Sequence, residues 1–129
     1  MSRPRRTLGA LQSVRDQEVE GSTRALAAAL EALRNATRAA AQAEEVLSGH
    51  ARAVTASKEA HRRALEGGSA LAGELAGDAA WERGSRLEHD ALAACVADAK
   101  KVEARAFEGV EKARVDLAER RTAAKGVGE

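Results

Sequence analysis

Few residues in this chain could do chemistry, and they lie far apart. Cys95 is the only cysteine, and the three histidines are His50, His61 and His89. On a helix Cys95 and His89 would not share a face, and the small apolar neighbours of Cys95 favour a buried, unreactive thiol over a nucleophile. No histidine has a histidine or cysteine four residues away, the spacing of two metal ligands on one helix face. We therefore expect no catalytic residue, no cofactor and no metal site.

The sequence also lacks the patterns with which enzymes hold phosphates, dinucleotides or zinc, such as GxxxxGK[ST], GxGxxG after a strand, and HExxH. Lys and Arg number 21 against 20 Asp and Glu, which gives a net charge of +1. A protein that binds nucleic acid draws its affinity from an excess of cations, which this chain does not have. The sequence predicts a protein that is not an enzyme and does not bind nucleic acid.

Composition indicates an all-α fold. The chain has 129 residues, the size of one domain, and 44% of them are hydrophobic, but most of these are alanine, with one Phe and one Trp. Strong helix formers dominate, whereas the β-branched and aromatic residues of strands are sparse. So few large apolar side chains can fill a narrow seam between two helices but not a wide core. We expect a single domain over residues 1–129.

The expected location is the cytoplasm. A lone cysteine forms no intrachain disulfide, and no apolar run approaches the ~20 residues of a membrane-spanning helix. The basic start of the chain is not followed by the apolar stretch of a signal peptide. These features predict a cytoplasmic protein without direct membrane insertion, which could still sit peripherally on a larger apparatus.

Two adjacent glycines, Gly67 and Gly68, mark a turn between two long helical patterns. Together they cost a helix interior roughly 2 kcal/mol relative to alanine, and they permit left-handed backbone geometry. We predict two long antiparallel helices that form a coiled-coil hairpin, with Thr7 as the first cap. The predicted layout is helix 1 over about 8–65, the turn over about 66–69, helix 2 over about 70–125, and tails at both ends. A break between Gly77 and Gly84 is the main competing topology.

Apolar residues recur at alternating spacings of four and three, the pattern of a coiled coil. On helix 1 this pattern predicts a seam formed by Leu26, Leu30, Leu33, Thr37, Ala40, Glu44, Leu47, Ala51, Val54, Lys58, His61 and Leu65. On helix 2 it predicts a stripe formed by Leu92, Val96, Ala99, Ala106, Val110, Ala113 and Leu117. Folding at the glycines pairs residues whose numbers add to about 134, so the expected neighbours are Val19 with Val115, Leu47 with Leu87, and Val54 with Trp81.

Leu8, Leu11 and Val14 do not follow this seam. They lie on a stripe that is rotated from it, while Val19 rejoins the main pattern. The rotation indicates either a phase shift of the coiled coil near residues 16–21 or a separate contact for the first two turns.

Two further features are candidates for partner binding. In a hairpin the chain termini are adjacent, so Arg5, Arg6, Arg120 and Arg121 would share one end. These arginines form either a solvated tail or an electrostatic docking tip for an acidic partner. Trp81 is either a core anchor that fills a wide part of the seam or an exposed contact residue.

The start of helix 1, LGALQSVRD over residues 8–16, resembles the start of small export-apparatus stalk proteins, the flagellar FliJ family and its injectisome counterpart YscO (SctO). That start is a Leu-x-x-Leu-x-x-hydrophobic-Arg phrase. The segments AKKVEAR over 99–105 and VEKAR over 110–114 resemble the hydrophobic-Glu-x-Ala-Arg phrases of that family's second helix. The resemblance covers most of the chain.

The resemblance implies a non-enzymatic central-stalk protein of a type III secretion export apparatus, injectisome or flagellar. Such a protein links the hexameric secretion ATPase to the export gate protein, with the end that carries both termini inserted into the ATPase. Export chaperones are further implied partners. A generic coiled-coil adaptor or scaffold, which dimerises into a four-helix bundle, is the alternative.

Overall fold

The computed structural model shows a pair of long helices. The described residues are 3–68 and 72–128 for the backbone, and 8–68 and 77–126 for the side chains. Helix α1 spans Arg3–Glu66, helix α2 spans Ala72–Gly128, and the two pack against each other. No strand is present within the described ranges. The all-α helical hairpin predicted from composition and spacing is therefore confirmed.

Helix α1 begins at Arg3 rather than near Leu8. Pro4 occupies the first turn, where a backbone N–H would have no partner within the helix and where the fixed φ of proline suits helical geometry. Thr7 therefore lies inside the helix and is not its cap. Most of the predicted amino-terminal tail is helical.

The two glycines end helix α1. The N–H of Gly67 donates to the carbonyl of Arg63 at 3.0 Å, and the N–H of Gly68 donates to the carbonyl of Leu65 at 3.1 Å. Gly68 has a φ of 71°, in the left-handed region that a Cβ would crowd. The glycines thus stand at the carboxyl end of α1. Ser69, the last residue of the predicted turn, lies outside the described residues.

Helix α2 runs without a break to Gly128, slightly beyond the predicted end. Gly77 and Gly84 lie inside it, so the competing topology with a break between them is excluded. A glycine in a helix interior costs about 1 kcal/mol relative to alanine. The helix tolerates these positions because it is long, rich in alanine and leucine, and packed against α1.

The inward face of α1 has a heptad pattern with two sets of positions. The sequence predicts the first set correctly. The members of this set are buried or half-buried: Leu26, Leu33, Ala40, Leu47, Val54 and His61. The second set follows the first at a spacing of three, not four, and consists of Ser22, Ala29, Ala36, Ala43 and His50. Most of the predicted second set is instead exposed, namely Thr37, Glu44, Ala51, Lys58 and Leu65. That part of the prediction was wrong because it followed Leu30 and Leu65 through the polar positions between them. The inward row consists mainly of alanines, whose small side chains let the two backbones approach closely.

The predicted stripe on α2 is confirmed. All seven residues are buried or half-buried: Leu92, Val96, Ala99, Ala106, Val110, Ala113 and Leu117. Glu103 is half-buried at the edge of the stripe, and Val102 is exposed beside it. Helix α2 thus has one inward face throughout this segment.

The chain divides into two compact units. The first unit consists of Met1–Thr37 and Val102–Glu129. Its hydrophobic core contains Ala36, Val110 and Leu117, and Val110 is almost completely buried, with 1% of its surface exposed. This core holds the carboxyl half of α2 against the amino half of α1.

Polar contacts fix the pairing of the helices in the first unit. Ser22 Oγ donates to Asp116 Oδ2 at 2.9 Å, and Arg120 Nη1 lies 3.2 Å from Glu18 Oε2. The residue numbers in each pair add to 138, so the pairing is shifted by about one helical turn from the predicted 134. Val115 is accordingly 58% exposed and lies outside the seam. The predicted register is wrong in this unit.

The second unit, Arg38–Lys101, shows the same shift. His61 Nε2 lies 2.6 Å from Asp78 Oδ2, and these residue numbers add to 139. Ala40 is buried, whereas Leu87, predicted to pack near Leu47, is 72% exposed. The register prediction is therefore also wrong here.

Candidate functional site

Cys95 is exposed on helix α2. The inward stripe passes through Leu92, Val96 and Ala99, which leaves Cys95 on the outer side of the helix. The prediction of a buried thiol is wrong. On a helix so rich in alanine, the residues next to Cys95 in sequence do not reveal which side faces the partner helix.

His50 and His89 come together in the second unit. Their ring centroids are 6.4 Å apart, with a tilt of 36° between the planes. His50 Nε2 lies 3.2 Å from the carbonyl oxygen of Ser85, to which it can donate, and His50 Nδ1 lies 3.8 Å from Glu88 Oε2. Within the part of the chain that the structure describes, no group of three or more His, Cys, Asp or Glu side chains is placed to hold a metal ion. The contacts of His50 join α1 to α2.

His61 also joins the two helices in this unit. Its Nε2 lies 2.6 Å from Asp78 Oδ2, and the two side chains are 33% and 37% exposed. Asp78 Oδ2 is shielded from solvent and makes no well-aligned hydrogen bond with the described residues. The contact is therefore a close approach of the two polar side chains rather than a directed hydrogen bond.

Arg120 belongs to a polar network in the first unit. Its Nη1 lies 3.2 Å from Glu18 Oε2, and its Nε lies 3.6 Å from Asp116 Oδ1. Glu18 Oε2 also accepts from Arg15 at 3.1 Å, and Asp116 accepts from the buried Ser22. Arg120 thus bridges the helices, and much of its guanidinium is engaged within the chain.

The other three arginines predicted to dock a partner belong to the same unit as Arg120. Arg121 is exposed on α2. Arg5 and Arg6 lie in the first turns of α1, and their side chains are outside the described part of the structure. The fold therefore places all four arginines in one unit. Of the two whose side chains are described, Arg120 links α1 to α2, whereas Arg121 is exposed and has no ion pair with the described residues.

The rotated stripe of the sequence forms an apolar strip on the outside of α1. Leu8, Leu11 and Val14 are 56%, 42% and 49% exposed. The half-buried positions of this segment are instead Gln12 and Arg15. Much of the apolar surface of these three residues is therefore not used to pack α1 against α2. We call them the amino-terminal strip.

Trp81 lies in an open groove of the second unit. The groove has a volume of about 420 Å³, and we call it the Trp81 groove. Its wall includes Lys58, His61, Leu65, Asp78, Trp81 and Glu82. Trp81 and Leu65 are each 41% exposed. Trp81 is therefore a partly exposed wall of a groove rather than a buried anchor of the core.

These observations define the class of the protein at the level of its fold: an all-α helical hairpin with exposed apolar side chains in each of its two units. No protein-family model, no curated protein and no solved structure matches the chain. Neither helix, over its described residues, is long and apolar enough to cross a membrane. The function is therefore argued from the chain's own surfaces.

Proposed function

We propose that this chain is a non-enzymatic coupling protein of a type III secretion or flagellar export system, and that it links the secretion ATPase to the export gate. In this proposal the first unit docks on the ATPase hexamer, because it contains the amino end of α1 and the carboxyl end of α2. The export gate protein, and export chaperones, are the proposed further partners.

The amino-terminal strip carries this proposal. Leu8, Leu11 and Val14 are the hydrophobic residues of the phrase that resembles the start of the export-apparatus stalk proteins. They lie outside the seam, so packing of α2 against α1 does not account for the phrase. Apolar side chains left half exposed at a regular spacing fit the apolar surface of a partner.

The charges of the first unit favour an acidic docking surface on that partner. Arg5 and Arg6 precede the strip on the same helix, and Arg121 is exposed on α2. Cations at the border of an apolar contact steer an acidic partner and raise the association rate. Arg120 contributes less in this proposal, because it is already paired with Glu18 and Asp116.

The test is co-elution of the full chain with a candidate type III secretion ATPase from the same genome, together with the ATP hydrolysis rate. We expect binding that raises hydrolysis and that weakens as salt is added, because the basic residues are screened. Val14→Asp should weaken binding about tenfold or more, since burying a carboxylate without a partner costs on the order of 1–3 kcal/mol.

Val46→Asp is the matched control. Val46 lies on the same helix and has a similar exposure, 55% against 49% for Val14, but it belongs to the second unit. This variant should bind the ATPase as the unmodified chain does. Equal loss in both variants would remove the strip as the docking surface, and absence of binding by the unmodified chain would refute the proposed function.

A scaffold that forms a four-helix bundle through its apolar seam is less well supported. Leu33, Ala40 and Leu47 are already buried or half-buried within the hairpin, so a bundle would have to reuse the surface that joins α1 to α2. A chain that ignores the ATPase and forms a stable dimer through these seam residues would favour the scaffold.

A further inference from the structure

We infer that the Trp81 groove is a self-association site, at which two copies of this chain pack with two-fold symmetry. In this arrangement Trp81 and Leu65 of both copies form an apolar centre, and Lys58 of each copy pairs with Glu82 of the other. The inference uses residues of the second unit only, and it does not depend on the proposed function.

The apolar part of the groove is suited to a protein contact. Leu65 projects from α1 and Trp81 from α2, and both line the same groove. Each is 41% exposed, so a large part of each side chain is still in contact with water. Tryptophan is enriched among the residues that dominate binding energy, because it buries a large rigid surface. Covering these two side chains removes apolar surface from water.

The charged residues around the groove fall into two groups, those with a close polar neighbour in the chain and those without an ion pair. Arg62 Nη2 lies 2.6 Å from a glutamate oxygen of its own helix, and Asp78 Oδ2 lies 2.6 Å from His61 Nε2. Lys58 on α1 and Glu82 on α2 are both exposed, and neither forms an ion pair with the residues whose side chains are described. Lys58 and Glu82 are thus a cation and an anion of one groove, on opposite helices, that no ion pair with the described side chains engages.

This pair of charges favours a second copy of the chain as the occupant, because the groove is then complementary to itself. A two-fold axis brings residue i of one copy against residue j of the other, and the reverse contact follows by symmetry. Lys58 would therefore meet Glu82 twice across one interface. A partner surface of a single charge sign would satisfy one of the two residues and repel the other.

A second groove lengthens the available surface. It has a volume of about 400 Å³, is bordered by His50 and His89, and shares Lys58 and Glu82 with the Trp81 groove. Together the two grooves extend along α1 from His50 to Leu65, which is about 22 Å or four helical turns. Such a contact is smaller than the interface of an obligate dimer, so association should be weak and should depend on protein concentration.

Sedimentation of the full chain across a wide range of concentrations tests the inference, with Trp81 fluorescence as a second readout. Trp81 is the only tryptophan, so its emission reports on this groove directly. We expect a monomer at low concentration, a dimer at high concentration, and a shift of the emission to shorter wavelength on association. Trp81→Ala should weaken the dimer at least tenfold.

Charge reversal provides the sharper test. Glu82→Lys leaves only cations at the two positions, and Lys58→Glu leaves only anions, so each variant should associate with itself at least tenfold more weakly than the unmodified chain. When the two variants are mixed, each acid meets a base and association should return. The double variant Lys58→Glu with Glu82→Lys should also associate with itself, because the pair is restored in reverse.

Lys101→Glu and Asp98→Lys are the matched controls, since both residues are exposed in the same unit and neither lines the groove. Neither change should affect association. A monomer at every concentration, a dimer that survives Trp81→Ala, or a mixture of the two reversed variants that stays monomeric would each overturn the inference. Glu82→Lys should still bind the ATPase, so failure of self-association is distinguishable from failure of the proposed function.

Discussion

Gly68 is the residue whose backbone conformation most restricts what can replace it. Its φ of 71° is the only positive φ among the described residues. Placing an L-residue in this region lowers the free energy of unfolding by about 1–2 kcal/mol. Part of this loss is offset because alanine makes the unfolded chain less flexible than glycine does. Gly68→Ala should therefore destabilise the hairpin by about 1 kcal/mol. Urea unfolding followed by circular dichroism measures this difference.

Gly67 is the matched control because it lies next to Gly68 but continues the helical hydrogen bonding. A Cβ at Gly67 would lie 3.4 Å from the carbonyl oxygen of Arg63, an ordinary contact distance, and the φ of Gly67 is not positive. Gly67→Ala should leave stability unchanged or raise it by up to about 1 kcal/mol. If both variants lose the same stability, left-handed geometry is not the reason that glycine is needed at position 68.

Single residues also differ in how well the sequence predicts their surroundings. The turn glycines were recognised because their backbone chemistry is local. The exposure of Cys95 depends on the rotation of α2, and the partial exposure of Trp81 depends on how wide the gap between the helices is. Neither quantity is contained in the identity of the residue or of its immediate neighbours.

At the scale of the helix, a sequence pattern predicts the inward face best where large apolar residues differ clearly from the residues around them. The stripe on α2 was predicted correctly because the large side chains of Leu92, Val110 and Leu117 stand out from the alanines and polar residues around them. On α1 the inward alanines Ala29 and Ala36 are identical in type to alanines that face water. The pattern therefore followed Leu30 and Leu65 on the neighbouring row, and the second set of heptad positions was assigned wrongly.

Leu117 and Leu87 test the assigned inward face of α2. Leu117 is 5% exposed in the core of the first unit, whereas Leu87 is 72% exposed. Leu117→Ala should lower the free energy of unfolding by about 2–4 kcal/mol, because it removes buried methyl groups and leaves a cavity. Leu87→Ala should change stability by no more than about 0.5 kcal/mol. Urea unfolding of both variants measures the contrast, and similar losses would mean that the face is assigned wrongly.

At the scale of the whole molecule, the two units join their helices with different chemistry. The first unit buries Val110 and Leu117 and links the helices through Arg120 and Ser22 with acidic partners. The cross-helix contacts of the second unit include two histidines beside acidic side chains, and large apolar side chains remain exposed in the Trp81 groove. Each unit therefore exposes its own apolar surface, the amino-terminal strip in the first and the Trp81 groove in the second.

The pairing of the helices could not be predicted because the connection between them sets it. Placing the glycines at the centre of the turn gave residue pairs that add to about 134, whereas the observed contacts Ser22–Asp116 and His61–Asp78 add to 138 and 139. The facing ends of the two helices, as described, are Glu66 and Ala72, and their numbers add to 138 rather than 134. A shift of one helical turn keeps the same faces inward, and the heptad pattern does not resolve it.

Cysteine crosslinking within the second unit tests the observed register. Ala40 is buried and Ala99 is half-buried, and their numbers add to 139, as those of His61 and Asp78 do. Ala40→Cys with Ala99→Cys, made in a Cys95→Ser background, should form a disulfide within one chain on mild oxidation, because the bond needs Cα atoms within ~7 Å.

Ala40→Cys with Ala94→Cys is the control for the register of 134, and it should remain reduced because Ala94 is exposed about one turn away. Gel mobility without reductant separates the two results. A crosslink in the control pair and none in the test pair would restore the earlier register and would also move Trp81 and Glu82 relative to Lys58, so this measurement bears on the groove as well as on the fold.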